Sequence, residues 1–264
     1  MKKISKNIYM VIVFIFLYAP IGVLILNSFN ASKSRTVWTG FTLDWYKKLF
    51  TNDLIISSLI NTLIIAVIAT VISTVLGTAA AIGISGMKRF TRSLIIDITY
   101  MPILNPEIVT GVSLMLLFVA MKLDFGYVSL VLAHITFCVP YVILNVLPKL
   151  RQMDSSLYDA AMDLGCNPAK AMIKVVIPEI MPGIITGALM SFTYSIDDFV
   201  VSYFTHGASA QPLSITIYSM TRRKVSPEIN ALSAIIFVVV LLVLLIMNIH
   251  DINAEKKSRK EQRL

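Results

Sequence analysis

The stretch Ser57–Ile84 reads SSLINTLIIAVIATVISTVLGTAAAIGI and contains no Asp, Glu, Lys or Arg. An α-helix rises about 1.5 Å per residue, so about 20 apolar residues cross the roughly 30 Å hydrocarbon layer of a bilayer. Working outward from this stretch, predominantly apolar runs separated by short charged clusters recur at Ile8–Asn27, Leu94–Ala120, Tyr127–Leu147, Ile180–Phe204 and Ile229–Ile249. The pattern predicts an all-α integral membrane protein with six transmembrane helices. Composition agrees: of 264 residues, 56% are apolar and 14% charged, with a mean hydropathy of +0.78, whereas a soluble domain carries about 25% charged residues. Three segments follow: residues 1–56 with the first helix and an external loop, a transmembrane core at 57–250, and a basic tail at 251–264.

The net charge of +8 does not describe a nucleic-acid surface, because the basic residues flank apolar spans and form no stripe with interleaved aromatics. They encode orientation. About 15 of the 23 Lys and Arg residues fall on one face of the six-span arrangement: the N-terminus, Lys88 to Arg92, Lys149 to Lys174 and the tail. The positive-inside rule places that face, with both termini, in the cytoplasm. Lys2, Lys3 and Lys6 before Ile8 imitate a secretory signal, but the apolar run outlasts an h-region of about 7–15 residues, so an uncleaved signal-anchor helix is expected. His134 and Cys138 stand four apart and make half a metal site at best; packing explains them better, and no resident cofactor or metal is expected.

Two connections exceed a simple turn. The external segment Ser28–Ile56 holds Trp38, Trp45, Tyr46 and Phe50, which suit a membrane interface or a docking surface. The internal segment Pro148–Glu179 reads as a helix, a turn and a second helix. Ser156 and Asp159 resemble a capping box, Gly165 supplies a left-handed stop after Leu164, Asn167 caps a helix whose first residue is Pro168, and Pro178 limits its continuation. Ala160 and Ala161 permit close approach of another surface. Together with Leu157, Leu164, Met172, Ile173 and Val176 they describe a compact cytoplasmic knob; the plainer alternative is an amphipathic hairpin lying on the bilayer.

Asp159-Ala160-Ala161, three residues, Gly165, nine residues, then Val175-x-Ile177-Pro178 resembles the coupling loop of ABC importer permeases, Glu-Ala-Ala-x3-Gly-x9-Ile-x-Leu-Pro. The resemblance implies a type I importer permease fold with a cytoplasmic coupling helix, in which Asp159, Ala160, Ala161, Gly165 and Pro178 belong to a loop seated in an ATP-binding subunit. The chain itself has no Gly-x4-Gly-Lys-Ser/Thr phosphate loop, no Gly-x-Ser-x-Gly elbow and no His-Glu-x-x-His motif. A non-catalytic subunit is expected, with ATP and Mg bound by the partner.

Charged residues within a span cost at least about 2.5–3.5 kcal/mol each near the bilayer centre and require a partner or a wet cavity. Asp97, Glu107, Asp197 and Asp198 are the cases. For Asp97, near the cytoplasmic end of its span, interfacial solvation is a sufficient account. Asp197 and Asp198 are adjacent with no basic residue in their span, so an incoming cation would relieve both. Ser191, Tyr194 and Ser202 are expected on the face of that helix with Asp198. Pro102 and Pro106 should break the preceding span between Met101 and Glu107, with Asn105 capping and Pro106 opening the next helix. Glu107 would then gain from the helix N-terminus, a structural role beside any role on a pathway.

The runs His134–Pro140, Ser195–Asp198, Ile217–Met220 and Asn27–Asn30 resemble permease subunits of spermidine/putrescine ABC importers over nearly the whole chain. That resemblance implies polyamine contact or gating by Trp45, Glu107, Ser195, Asp197 and Asp198, Glu107 standing where Asp is the usual residue. It also implies a second homologous permease, an ATPase homodimer, an extracytoplasmic polyamine-binding protein and a lipid bilayer, and no nucleic acid. The alternatives are the same architecture importing another cationic metabolite or a metal chelate, and a cation channel or proton-coupled carrier, which would leave the coupling loop unexplained.

Overall fold

The computed structural model describes residues 2–32, 37–154, 156–223, 227–239 and 241–242. The basic tail at 251–264, positions 240 and 243–249 of the run Ile229–Ile249 and the cations Lys33, Arg35 and Lys224 lie outside the described residues. Among the described residues there is no strand, only the isolated bridges Asn30–Phe41 and Gly207–Ala210. The chain forms two units, Met1–Ile56 with Ile217–Leu264, and Ser57–Thr216.

The first unit opens with α1 (Lys2–Ser28), whose apolar window has no buried residue. A helix apolar on all sides demands lipid or another chain around it. Beyond it, Asn30 organises the loop: its Oδ1 accepts the N–H groups of Ser32 and Thr39, its Nδ2 donates to Val37 O at 2.8 Å, and its own carbonyl accepts Trp45 Nε1–H at 2.7 Å. These bonds tie α2 (Asp44–Phe50) to the end of α1. Further along, Asn52 Nδ2 donates to Glu228 at 3.1 Å.

The second unit is built on α3 (Asp53–Ser85), α4 (Arg89–Leu104), α5 (Glu107–Ala120), α6 (Tyr127–Gln152), α7 (Ser156–Asp163), α8 (Pro168–Ala171), a π turn (Met172–Val176), α9 (Ile177–Glu179), α10 (Met181–Asp197), α11 (Val200–Thr205) and the start of α12 (Leu213–Arg223). A further apolar helix, α13 (Pro227–Val239), belongs to the first unit. Lipid tails are as apolar as valine, so helices associate here through close packing rather than water exclusion. Small residues make that possible. A Cβ on Gly183 would lie 2.8 Å from Asn145 O, one on Gly187 2.9 Å from Val142 Cα, and one on Gly77 2.6 Å from Val142 Cβ. Thus α6 is held between α10 and α3, around a core of Ala81, Ile84, Val142, Val146, Leu147, Val176 and Ile180.

Spans expected as single helices are resolved differently. Three helices are individually long and apolar enough to cross a bilayer, Ile8–Ser28, Asp53–Ser85 and Tyr127–Gln152; two bent pairs raise the number to five if each is one span. The pair α4 and α5 bends by 101°, as the prolines foretold. Asn105, however, ends α4 and does not cap α5, whose cap is Pro106. The other bend, 69°, separates Pro168–Glu179 from α10. The run Ile180–Phe204 is not one helix either, because α10 ends at Asp197 and the chain is extended at Asp198 before α11 begins.

Candidate functional site

At that break a cavity of about 230 Å³ opens, lined by residues of α4, α5, α6, α10 and α11 that include Asn105, Glu107, Thr110, Phe137, Tyr141, Tyr194, Asp197 and Asp198. Glu107 and Asp197 are exposed to it and, among the described residues, neither forms an ion pair. Glu107 sits in the first turn of α5, where the helix dipole favours its charge.

Asp198 differs from its neighbour. Its carboxylate accepts the N–H of Val201 at 3.2 Å and of Ser202 at 2.7 Å, capping α11, and one oxygen lies 3.7 Å from His134 Nε2. Its side chain is only 8% exposed. Two backbone donors and a polar pocket explain how this acid is kept in a membrane span. The expected common helical face of Ser191, Tyr194, Ser202 and Asp198 is therefore corrected: Ser202 meets Asp198 through a cap across a helix break, not through helical periodicity.

His134 is the hub that sequence reasoning missed. Its Nδ1 pairs with Ser195 Oγ at 2.7 Å and its Nε2 with Ser202 Oγ at 3.1 Å, joining α6 to both sides of the break. Cys138, one turn on, donates to Ser191 O at 3.4 Å while Ser191 Oγ donates to Cys138 O at 3.2 Å. Among the described residues no group of three or more His, Cys, Asp and Glu is arranged to hold a metal ion. Ser195 is buried behind the cavity and faces His134. Tyr141, seven residues after His134, follows it along α6 and does line the cavity. That spacing was visible in the sequence; which helix α6 would face was not.

Trp45 belongs to the first unit. It is 6% exposed, its indole N–H is bonded to Asn30 O, and Lys48 Nζ lies 4.8 Å from its ring centre. It pins the loop that follows α1.

The segment Pro148–Glu179 forms the expected hairpin with one change of cap. Ser156 lies inside α7, and Asp154 receives its N–H at 3.0 Å, so Asp154 replaces the Ser156–Asp159 pair as the capping group. That N–H holds the Asp154 carboxyl below its ordinary range. Gly165 has φ +82°; Gly165 N–H donates to Met162 O and Cys166 N–H to Ala161 O, a Schellman closure. Asn167 Oδ1 accepts Lys170 N–H at 2.8 Å and Pro168 opens α8. Pro178 does not end the helical path at once. It lacks an N–H and its ring would press on the carbonyl four residues back; the chain widens into the π turn, with Ile177 N–H reaching Met172 O, and bends at Ile180. Asp159 and Ala160 are exposed and Ala161 is buried, while Leu164 and Ile173 stand 86% and 63% exposed.

A bundle of continuous and broken membrane helices, with a capped hairpin that leads through a bend into the helix ending at Asp197, defines a membrane transport subunit. The chain belongs to the binding-protein-dependent transport system inner membrane components, whose family profile matches residues 73–259. It is a multi-pass membrane protein. It is 36% identical over 233 residues to the spermidine/putrescine transport system permease protein PotC of Haemophilus influenzae, covering 88% of this chain and 91% of that one. It is 40% identical over 231 residues to the putrescine transport system permease protein PotI of Escherichia coli, covering 84% and 82%. Its fold is similar to that in a crystal structure of a bacterial ABC transporter that imports the acidic polysaccharide alginate, with a TM-score of 0.70, 18% identity and 93% of each chain covered.

Proposed function

We propose that this chain is the permease subunit of an ATP-driven importer for the polyamines spermidine and putrescine, forming half of a translocation pore with a second homologous permease. The observation that carries the proposal is the pair of acids Glu107 and Asp197, which form no ion pair among the described residues and share one cavity with the rings of Phe137, Tyr141, Tyr194 and Phe199. Its volume of about 230 Å³ falls below the roughly 300–1,000 Å³ of pockets for drug-sized ligands. An aliphatic chain with ammonium groups matches that lining of acids and aromatic rings. Names of the relatives above support the same substrate class.

In this proposal Glu107 and Asp197 contact the substrate directly. Asp198 and Ser195 act from behind by holding the break at which Asp197 is presented, and Trp45 acts by fixing the external loop on the side where a polyamine-binding protein would dock. Both termini are cytoplasmic. The hairpin bearing Asp159, Ala160, Ala161, Gly165 and Pro178 seats in an ATPase homodimer, which supplies ATP and Mg²⁺; exposed Leu164 and Ile173 provide its apolar contact. Movement of the hairpin reaches the site mechanically. The 17 residues of α10 span about 25 Å as one rigid rod, and Gly183 and Gly187 clamp that rod to α6. Rocking the hairpin would thereby move Asp197 and Tyr194 relative to Glu107 on α5.

The test is uptake by proteoliposomes holding the assembled transporter with its binding protein. ATP-dependent, saturable accumulation of labelled spermidine or putrescine is expected. Import of another cationic solute with neither polyamine transported would overturn the substrate assignment.

A further inference from the structure

Resting on the polyamine proposal, we infer that Tyr141 and Tyr194 form a cation-binding aromatic wall that selects organic ammonium groups over inorganic cations. Their rings stack with centroids 4.1 Å apart and planes 14° apart, joining α6 to α10, and both line the cavity that holds Glu107 and Asp197. Tyr194 is 42% exposed despite this contact. Stacking therefore fixes its orientation without burying it, an arrangement suited to a surface prepared for a ligand. Tyr141 is partly buried and braces it from behind. Elsewhere α10 approaches α6 through its small residues Gly183, Gly187, Ser191 and Ser195, so Tyr194 is a large ring on a helix face that otherwise packs closely.

Carboxylates alone attract any cation, and strongly hydrated ions compete well for them. An aromatic face adds attraction for an ammonium within about 6 Å of the ring centre, and it offers apolar surface to the methylenes beside that ammonium. Alkali and magnesium ions have no such methylenes. The pair would thus distinguish an alkyl ammonium from inorganic ions that share its charge, while Glu107 and Asp197 supply the charge recognition. Phe137, in the same cavity, extends the apolar lining.

The experiment measures spermidine and putrescine binding to the assembled permease–ATPase complex in nanodiscs without the binding protein, so that affinity reports on the membrane site, and it scores complex assembly for every variant. Tyr141→Leu and Tyr194→Leu are expected to weaken binding about tenfold each and to increase competition by magnesium. Tyr141→Phe and Tyr194→Phe, which keep the rings, should stay within about twofold. Leu variants that assemble and bind as well as the wild type would overturn the aromatic wall, as would loss confined to assembly, the signature of a pair that only packs against the companion permease. Phe variants as weak as the Leu variants would also overturn it in favour of the hydroxyls. A wild-type complex that binds neither polyamine would overturn the wall and the polyamine assignment together, whereas failure of the Leu variants to differ leaves that assignment standing.

Discussion

The hairpin Ser156–Glu179 and the cavity at the α10–α11 break lie at opposite ends of one helix, yet they are made by opposite means. The hairpin is assembled almost wholly from contacts within a few residues: Asp154 to Ser156, Cys166 to Ala161, Lys170 to Asn167. The cavity is assembled from residues far apart in the chain, and its key bonds, His134 to Ser195 and Ser202, bridge 61 and 68 positions. The difference teaches that neighbouring acids of the same type can hold opposite jobs, Asp198 as a fixed cap and Asp197 as an open charge. It also gives each region its own mode of failure.

The largest effect is expected at the cavity. Replacing Glu107 by Gln and Asp197 by Asn together removes two charge-assisted contacts of about 1.5–3 kcal/mol each, so polyamine uptake per assembled complex should fall by about 100-fold or more. Unchanged uptake in the double variant would remove the acids from the pathway. Next is the hairpin: Gly165→Val forces a β-branched residue to φ +82°, a strain of about 1–3 kcal/mol. Coupled uptake should fall about tenfold while polyamine binding to the cavity is retained, and a co-purification assay should show weakened ATPase contact. Equal loss of binding would break the separation between the two regions.

A third variant tests the division between the adjacent acids. Asp198→Ala leaves the N–H groups of Val201 and Ser202 without their acceptor and should destabilise the assembled complex by about 1–3 kcal/mol, read as a lowered thermal midpoint. Asp197→Ala should leave that midpoint nearly unchanged while lowering uptake. Reversal of this order would assign the cap to the wrong residue. The smallest effect belongs to Asn167→Ala, which removes an exposed cap and should destabilise the hairpin by about 1 kcal/mol. Faster hydrogen exchange at Lys170 and Ala171, with the cavity unaffected, is the expected result.

How much was legible follows from the range of the interactions. Gly165, Asn167 and Pro168 announced their roles because a left-handed residue, a side-chain cap and a pre-set φ are properties of a short peptide, and the structure places each where those properties require. The Asp154 cap escaped because Asp154 and Ser156 both suit a helix start, and only geometry chooses between them. Pro102 and Pro106 revealed a break in their span, whereas no proline or glycine marks the end of α10 at Asp197. There the helix stops because Asp198, turned out of it, gains two backbone donors, Ser214 Oγ on its own carbonyl at 2.9 Å and a place beside His134.

By itself the sequence determined that the chain is a multi-pass helical membrane protein with a capped hairpin and intramembrane acids that have no Lys or Arg in their own spans, because apolar run length, turn chemistry and charge are local quantities. Only the tertiary structure decided which acid is free, that His134 joins α6 to both sides of a helix break, and that Tyr141 meets Tyr194 beside Glu107 and Asp197. Those outcomes depend on which face of α6 packs on α10. Close approach over Gly183 and Gly187 settles that face, a matter of shape between helices that helical periodicity leaves open.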